Sequence, residues 1–217
     1  VHELRTPMTS IRGYTDMLGA MGELSDMQKQ FLDVIKTNTR RMEGLLADVS
    51  YINKIRKHTL KLTPKMDMFK NLAMKLEKDY QPLADELGRE LVFEVPQGLP
   101  FLNLDGDMFT TALGKLIENG LRYTPAEGGQ VTDSAHANGN KLEVIVADNG
   151  IGMTEDEIAQ LGTIYFRSDR DEVREYKGSG LGIPIAYGMV AMMDGTIKVE
   201  STPDEGTRFF VSVPAIS

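Results

Sequence analysis

A repeat of mostly apolar residues between positions 35 and 56 limits the fold of this 217-residue sequence more than any other feature. Its members alternate in spacings of three and four: Ile35, Asn38, Met42, Leu45, Val49, Ile52 and Arg56. Such spacing predicts a helix with one seam facing other helices. An earlier helix is expected from Val1 to about Gly19, with a break up to the capping candidate Ser25.

Two helices of this kind form a hairpin that cannot bury both apolar stripes by itself. Two such hairpins can close a four-helix bundle, so the sequence favours a homodimer. The alternative is an amphipathic helix that packs only on its own chain. Both readings assign residues 1–57 to one helical domain.

After residue 57 the sequence pattern changes, and short strand candidates alternate with helical stretches. Residues 58–217 therefore predict an α+β domain. Strands are expected at Thr59–Leu62, Glu90–Val95, Leu142–Ala147, Thr196–Ser201 and Arg208–Val213. Helices are expected at Asp67–Leu87, Asp105–Tyr123, Thr154–Leu161 and Leu181–Met193, with Asp67, Asp105 and Thr154 as caps. The polar, glycine-ended stretch between Gly162 and Gly180 is typical of a mobile lid over a ligand.

Composition excludes several functions. The chain has no cysteine, which rules out disulfides and thiolate ligands and favours a reducing compartment, and its histidines lack metal-ligand spacing. A formal net charge of -8 opposes binding to nucleic acid and anionic lipid. No apolar run approaches the ~20 residues that cross a bilayer, so we expect no membrane contact by this fragment and a cytoplasmic location, even if the parent protein is membrane-anchored.

The segment His2-Glu3-Leu4-Arg5-Thr6-Pro7 opens the first helix. A neutral imidazole is a capable nucleophile near neutral pH, and the carboxylate of Glu3 is the nearest acceptor for the proton of His2. Thr6 shares a helix face with His2. A lone histidine beside a glutamate is more often a surface residue, but the six-residue segment is far more specific.

Two further clusters lie at the ends of predicted elements, one at the end of a helix and one directly after a strand. In Leu116–Pro125, the amide oxygen of Asn119 suits a magnesium ion, and Arg122 and Tyr123 can face phosphate and base. In Asp148–Met153, Asp148 can accept from the exocyclic amine of adenine, while Gly150 and Gly152 let backbone approach a ring. Solvated surface and a plain Asn-Gly turn are the alternatives.

A glycine-rich cluster, Gly178-Ser179-Gly180-Leu181-Gly182, precedes a predicted helix, where free backbone amides attract phosphate oxygens. The cations before it can close on a terminal phosphate, although most are expected to be solvated; they are Arg167, Arg170, Arg174 and Lys177. A glycine-rich turn alone is weak evidence.

In this order the clusters resemble the H, N, G1 and G2 boxes of sensor histidine kinases, and Tyr165-Phe166-Arg167 resembles their F box. The resemblance implies a dimeric helical hairpin followed by a Bergerat-type α/β sandwich that binds ATP and Mg²⁺. It implies that His2 accepts the phosphoryl group and that Glu3 accepts the proton of His2. It also implies that Thr6 positions a water molecule for dephosphorylation of the partner. The nucleotide site implied comprises Asn119 as the magnesium ligand with Arg122, Tyr123, Asp148, Gly150, Gly152, Arg167, Lys177, Gly178, Gly180, Leu181, Gly182 and Thr207.

The activity implied is ATP-dependent autophosphorylation of His2, followed by phosphotransfer to an aspartate of a response regulator and, through Thr6, regulator dephosphorylation. Two alternatives remain: an ATPase of the same superfamily, and a nucleotide-binding signalling scaffold without autokinase activity. Lys115 departs from the family pattern, which commonly has Asn or another polar or acidic residue one helical turn before the magnesium ligand. It can contact phosphate directly or weaken magnesium binding.

Overall fold

A computed structural model describes residues 2–174 and 178–216, without the side chains of residues 2, 3 and 172. The chain divides into two compact units, Val1–Thr59 and Leu60–Ser217. Among the described residues, no helix has the length and apolar character required to cross a membrane.

The first unit is a helical hairpin of α1 (His2–Ala20) and α2 (Asp26–Arg56). The predicted break between them is confirmed. Ser25 caps α2 through a capping box, in which its hydroxyl accepts from the Gln28 N–H and the Gln28 side chain accepts from the Ser25 N–H. This reciprocal pair satisfies two amide donors at the helix start and fixes where α2 begins.

Only part of the apolar surface of the hairpin is buried within one chain. Met8 and Ile52 are buried, whereas Ile35, Met42 and Leu45 are 42%, 52% and 37% exposed. Three of the seam residues therefore face away from the core of their own hairpin. The exposed stripe remains available to another apolar surface.

The second unit combines a five-stranded sheet, a two-stranded sheet and helices. Its elements in chain order are β1 (Lys65–Met68), α3 (Phe69–Leu87), β2 (Glu90–Glu94), β3 (Phe101–Leu104), α4 (Gly106–Tyr123), β4 (Gln130–Asn138), β5 (Lys141–Asp148), α5 (Glu155–Ala159), α6 (Asp171–Arg174), α7 (Gly182–Met192), β6 (Thr196–Thr202) and β7 (Gly206–Pro214). The predicted α+β architecture is confirmed.

The large sheet has the order β2-β4-β5-β7-β6, with β2 and β4 parallel and the remaining pairs antiparallel. Alternate residues of its central strands are buried, as expected for a sheet with one face covered. Helices α3, α4 and α7 contact the sheet, and α4 packs against both α3 and α7. Phe69 of α3 and Phe109 of α4 meet edge to face, with ring centroids 6.4 Å apart. This arrangement places the end of α4 beside the end of β5.

Two local predictions are wrong. Residues 59–62 form no strand; the first strand is β1, which pairs with β3 so that Asp67 lies opposite Leu102. Asp67 is therefore a strand residue rather than a helix cap, and its carboxylate accepts from the Met68 N–H and the Asn71 amide. Strands β3 and β4 were also not predicted, because their polar residues obscure the alternating pattern.

Candidate functional site

One face of α4 is only partly buried, although the helix residues from Met108 onward that lie off this face are packed in the core. The residues of this face recur at helical spacing: Thr111, Lys115, Glu118, Asn119, Arg122 and Tyr123. Helix α4 begins at the predicted cap Asp105, whose carboxylate accepts from the Met108 N–H over 3.0 Å. Residues four apart on a helix lie one turn apart. The sequence cluster around Asn119 thus lies on this partly exposed face. This face, the loop after Asp148 and residues 178–182 are together called the cleft below.

Asp148 lies at the end of β5, against α4. A Cβ at Gly120 would lie 3.3 Å from the Asp148 Cβ. Burial raises the pKa of Asp148 to about 6, although backbone N–H groups of Gly150 and Thr207 act in the opposite direction. A partly buried carboxylate with free acceptor capacity is suited to a neutral donor such as an amine of a purine.

The loop after Asp148 is fixed by hydrogen bonds from three directions. The Ile151 N–H donates to the Tyr123 carbonyl over 3.1 Å, and the Met153 N–H donates to the Ser201 hydroxyl over 2.8 Å. The Asn149 side chain accepts from the Gln130 N–H and donates to the Gly128 carbonyl. The loop is therefore shaped before any ligand binds, which lowers the entropy cost of binding.

Glycines are required in this loop because backbone segments approach each other closely. A Cβ at Gly150 would lie 2.5 Å from the Tyr123 carbonyl oxygen. Gly152 has φ +58°, and a Cβ there would overlap the Thr202 carbonyl oxygen. Gly206 has φ +99°, and a Cβ there would overlap the Asp148 carbonyl oxygen. The sequence predicted a glycine-lined wall, and these approaches give a packing reason for it.

The glycine-rich segment closes the other side of the cleft. A Cβ at Gly178 would lie 3.7 Å from the Tyr123 hydroxyl and 3.8 Å from Nε of Arg167. Gly180 has φ +68°, and a Cβ there would lie 2.7 Å from the Phe166 carbonyl oxygen. These distances show that Tyr123, the Phe166–Arg167 pair and the glycine-rich segment lie next to one another.

Helix α7 begins at the end of this segment. Leu181 is buried and its N–H donates to the Ser179 hydroxyl over 3.2 Å. Gly182 is the first residue of α7, which has no side-chain cap. A helix start without a side-chain cap leaves amide donors for solvent or for an anion.

Arg170 connects the segment between α5 and α7 to the loop after β5. Its Nη1 donates to the Gly152 carbonyl over 3.1 Å and lies 3.7 Å from Oε2 of Glu157. Burial raises the pKa of Glu157, but hydrogen bonds from Ser168 and Thr154 and the charge of Arg170 lower it overall. Glu157 therefore stays ionised beside the arginine.

Like Arg170, two further predicted cations contact protein groups. Arg122 donates twice to Oε1 of Glu118, over 3.1 and 2.7 Å. Arg167 donates from Nη2 to the Val173 carbonyl over 3.0 Å. Contact with a phosphate would require either guanidinium to share or exchange these partners.

The remaining predicted residues lie as follows. Thr207 is buried, with its hydroxyl 2.9 Å from that of Ser201. Thr6 lies in the first unit and is exposed. His2 and Glu3 lie in α1, but their side chains, like the whole of Lys177, lie outside the described residues. Sequence reasoning missed Ser201, which has no motif of its own and is identified only by its three hydrogen bonds.

The residues of the cleft fit ATP and Mg²⁺. Asp148 and the glycine-lined wall suit a purine, and the start of α7 suits phosphates. Among the described residues, no cluster of three or more histidine and acidic side chains can hold a metal by protein ligands alone. Magnesium often binds through one or two protein oxygens together with substrate phosphates, and Asn119 offers such an oxygen.

Family comparisons agree with this geometry. Residues 1–58 match the model of the His Kinase A (phospho-acceptor) domain. Residues 104–217 match the model of the histidine kinase-, DNA gyrase B- and HSP90-like ATPases. The chain belongs to the sensor histidine kinases. The second match alone would also accommodate other ATPases, and the first match separates the sensor kinases from them.

Curated sensor histidine kinases align along nearly the whole chain. The sensor histidine kinase WalK of Bacillus subtilis is 31% identical over 98% of this chain and 35% of its own length. The histidine protein kinase DivJ of Caulobacter vibrioides is 29% identical over 99% of this chain and 36% of its own length. The chain thus spans little more than a third of either relative.

Solved structures of other proteins share the fold. Full-length ShkA in complex with AMPPNP superposes with a TM-score of 0.83 at 24% identity, covering 100% of this chain and 44% of ShkA. The catalytic domain of the histidine kinase ThkA has a TM-score of 0.60 at 18% identity, covering 72% of this chain and 97% of that domain. At these identities the likeness extends to the fold alone.

Proposed function

We propose that this chain is the catalytic core of a sensor histidine kinase, which transfers the γ-phosphoryl group of ATP to its own His2. The observation that carries the proposal is the occurrence, in one chain, of a phospho-acceptor segment and a nucleotide-type cleft. The His-Glu-Leu-Arg-Thr-Pro segment lies in the region that matches the phospho-acceptor domain. An ATPase that does not phosphorylate itself has no use for that segment.

The proposed reaction is an in-line displacement at phosphorus. A ring nitrogen of His2 forms a bond to the γ-phosphorus while the bond between that phosphorus and the β,γ-bridging oxygen breaks, and ADP leaves. Glu3 accepts the proton from the other ring nitrogen. Phosphoryl transfer needs little covalent help from protein, so the cleft contributes mainly by positioning its substrate.

Asp148 selects the purine in this proposal by accepting from its exocyclic amine. Tyr123, Gly150, Gly152 and Thr207 form the surrounding wall. The phosphates lie towards Gly178, Gly180 and the start of α7, near Arg122 and Arg167. Asn119 holds Mg²⁺, which when bound neutralises phosphate charge.

Labelled ATP tests the proposal. The full chain with ATP and Mg²⁺ should acquire phosphate that is labile to acid and stable to base, and His2→Gln should abolish it. His136→Gln is the matched control, because His136 lies on β4, outside the cleft, and pairs with Glu143 over 3.0 Å. Release of free phosphate without labelled protein would support an ATPase instead.

A response regulator is the proposed acceptor of the phosphoryl group from His2. The phosphohistidine is a high-energy donor, which suits transfer to an aspartate. Phosphorylated chain, purified from ATP, should lose its label to a cognate receiver domain, and replacement of the acceptor aspartate in that domain should block transfer. Thr6→Ala should leave this transfer intact and slow dephosphorylation of the regulator.

A homodimer through the hairpin is the proposed assembly. The exposed apolar stripe of α2 supports it, because a second copy of the hairpin offers a matching stripe. The match to the phospho-acceptor domain supports the same arrangement.

A further inference from the structure

Lys115 lies where the cleft wall of α4 meets the start of α7. It is four residues before Asn119 and therefore one turn away on the same partly exposed face. A Cβ at Gly182 would lie 3.7 Å from Cδ of Lys115 and 3.9 Å from its Cβ. The lysine side chain thus runs along the first residue of α7.

Two independent features make this place favourable for an anion. Helix α7 has no side-chain cap at its start. The free amides of its first turn therefore carry the positive end of the helix dipole. The ammonium of a lysine adds a full charge on a flexible stem that can follow a phosphate. Asn119, one turn further along α4, is the proposed ligand of the metal that binds the same phosphates.

We propose that Lys115 binds the β- or γ-phosphate of the nucleotide and supplies part of the positive charge that Mg²⁺ otherwise provides. The inference rests on the proposed function, because it assumes that the cleft binds ATP. It follows that this chain binds ATP measurably without a divalent metal. It also follows that an asparagine at position 115 makes binding depend more strongly on the metal.

Calorimetric titration of the full chain with ATP and AMP, each in EDTA and in Mg²⁺, tests the inference. Lys115→Met should weaken metal-free ATP binding about tenfold, the effect of losing one charge-assisted hydrogen bond. AMP binding should be unchanged, since AMP lacks both phosphates, and this shows that the variant cleft is folded. Lys115→Arg should retain most of the metal-free affinity.

Lys198→Met is the matched control, because Lys198 is an exposed lysine on β6 outside the cleft. It should leave all four titrations unchanged. Lys115→Asn should increase the ratio of ATP affinity with Mg²⁺ to that without it. If Lys115→Met leaves metal-free ATP affinity unchanged and strengthens binding in Mg²⁺, the lysine opposes the metal and the inference is overturned.

The same preparations separate this inference from the proposed function. Phosphohistidine formation by the wild-type chain reports on the kinase reaction, whereas the metal-free titration reports on Lys115. A wild-type chain that binds ATP without becoming phosphorylated refutes the kinase proposal and leaves the role of Lys115 open to the titration result. A wild-type chain that binds no ATP refutes both.

Discussion

The Gly150 N–H donates to Oδ1 of Asp148 over 2.9 Å, so the loop that follows β5 orients the carboxylate at its own start. Gly150 in turn approaches the Tyr123 carbonyl so closely that no side chain fits there. The adenine-reading carboxylate proposed for this chain thus accepts from the backbone of Gly150 and of Thr207, and Gly150 is itself held against Tyr123. A group held before binding loses little entropy when the ligand arrives.

Binding of adenosine should depend on the ionisation of Asp148. Burial raises its pKa to about 6, so the accepting carboxylate is present above that pH and is lost as the pH falls through it. Adenosine affinity should therefore decline below about pH 6. Asp148→Asn should weaken binding at pH 7.5 by at least tenfold and remove the pH dependence. Adenosine is used because it carries no phosphate that titrates in the same range.

Replacement of Asp133 should stabilise the second unit. Asp133 is fully buried on β4, neither carboxylate oxygen has a hydrogen-bond partner, and burial raises its pKa to about 8 from 3.8. The unfolded chain releases this proton at lower pH than the folded one, so stability falls as the pH rises from about 4 to about 8. Asp133→Val should therefore raise the free energy of unfolding at pH 8 by several kcal/mol, on the order of 5 if the whole difference in pKa contributes.

Urea unfolding of the wild type and of Asp133→Val between pH 5 and 9 checks this. The difference between the two should grow with pH and level off above about 8. Asp133→Asn should remove the pH dependence with a smaller gain, since it keeps a buried polar group. An equal pH dependence in wild type and Asp133→Val would contradict the assignment.

Close approach rather than backbone angle should make Gly152 irreplaceable. Gly152 and Gly139 have similar φ values of +58° and +61°, but a Cβ at Gly139 meets nothing within 4 Å. Gly139→Ala should cost about 1 kcal/mol from backbone strain alone. Gly152→Ala should cost several kcal/mol more and abolish AMP binding, because its Cβ overlaps the Thr202 carbonyl oxygen. Similar losses in both variants would argue against this account.

Arg170 should couple the segment before α7 to the cleft. Arg170→Met removes the donor to the Gly152 carbonyl and the charge beside Glu157, so we expect ATP affinity to fall by about fivefold to tenfold. Hydrogen exchange should quicken in residues 150–153. Arg174→Met is the control, because Arg174 is 64% exposed and, among the described residues, pairs with Asp169 and Asp171. A double-mutant cycle with Glu157→Gln should give a favourable interaction energy between the side chains of Arg170 and Glu157.

Charge on the exposed stripe of α2 should dissociate the proposed dimer. Met42→Glu combined with Leu45→Glu places two carboxylates on a surface that a second hairpin would bury, which is unfavourable. Sedimentation should shift from the mass of a dimer to that of a monomer. Lys29→Glu changes the net charge by the same amount at the solvated start of α2 and should leave the dimer intact. A monomeric wild type would refute the assembly itself.

Much of the architecture could be read from patterns that depend only on neighbours along the chain. The Ser25 capping box and the caps at Asp105 and Thr154 were predictable, because a cap bonds to amides two or three residues away. The break before α2 and the end of α4 followed from the same local rules. Strand β4 was not predicted, because Asp133 occupies a core position and breaks its alternation.

The sequence by itself determined the order of the boxes, the type of most elements and the family. Only the tertiary structure decided that Arg170 contacts Gly152, that Ser201 links the loop after β5 to β7, and that Lys115 lies along Gly182. These contacts join residues far apart in the chain, and their existence depends on how strands and helices pack. Local patterns fix the elements, whereas the contacts of the cleft are fixed by close packing among elements that share no sequence signal.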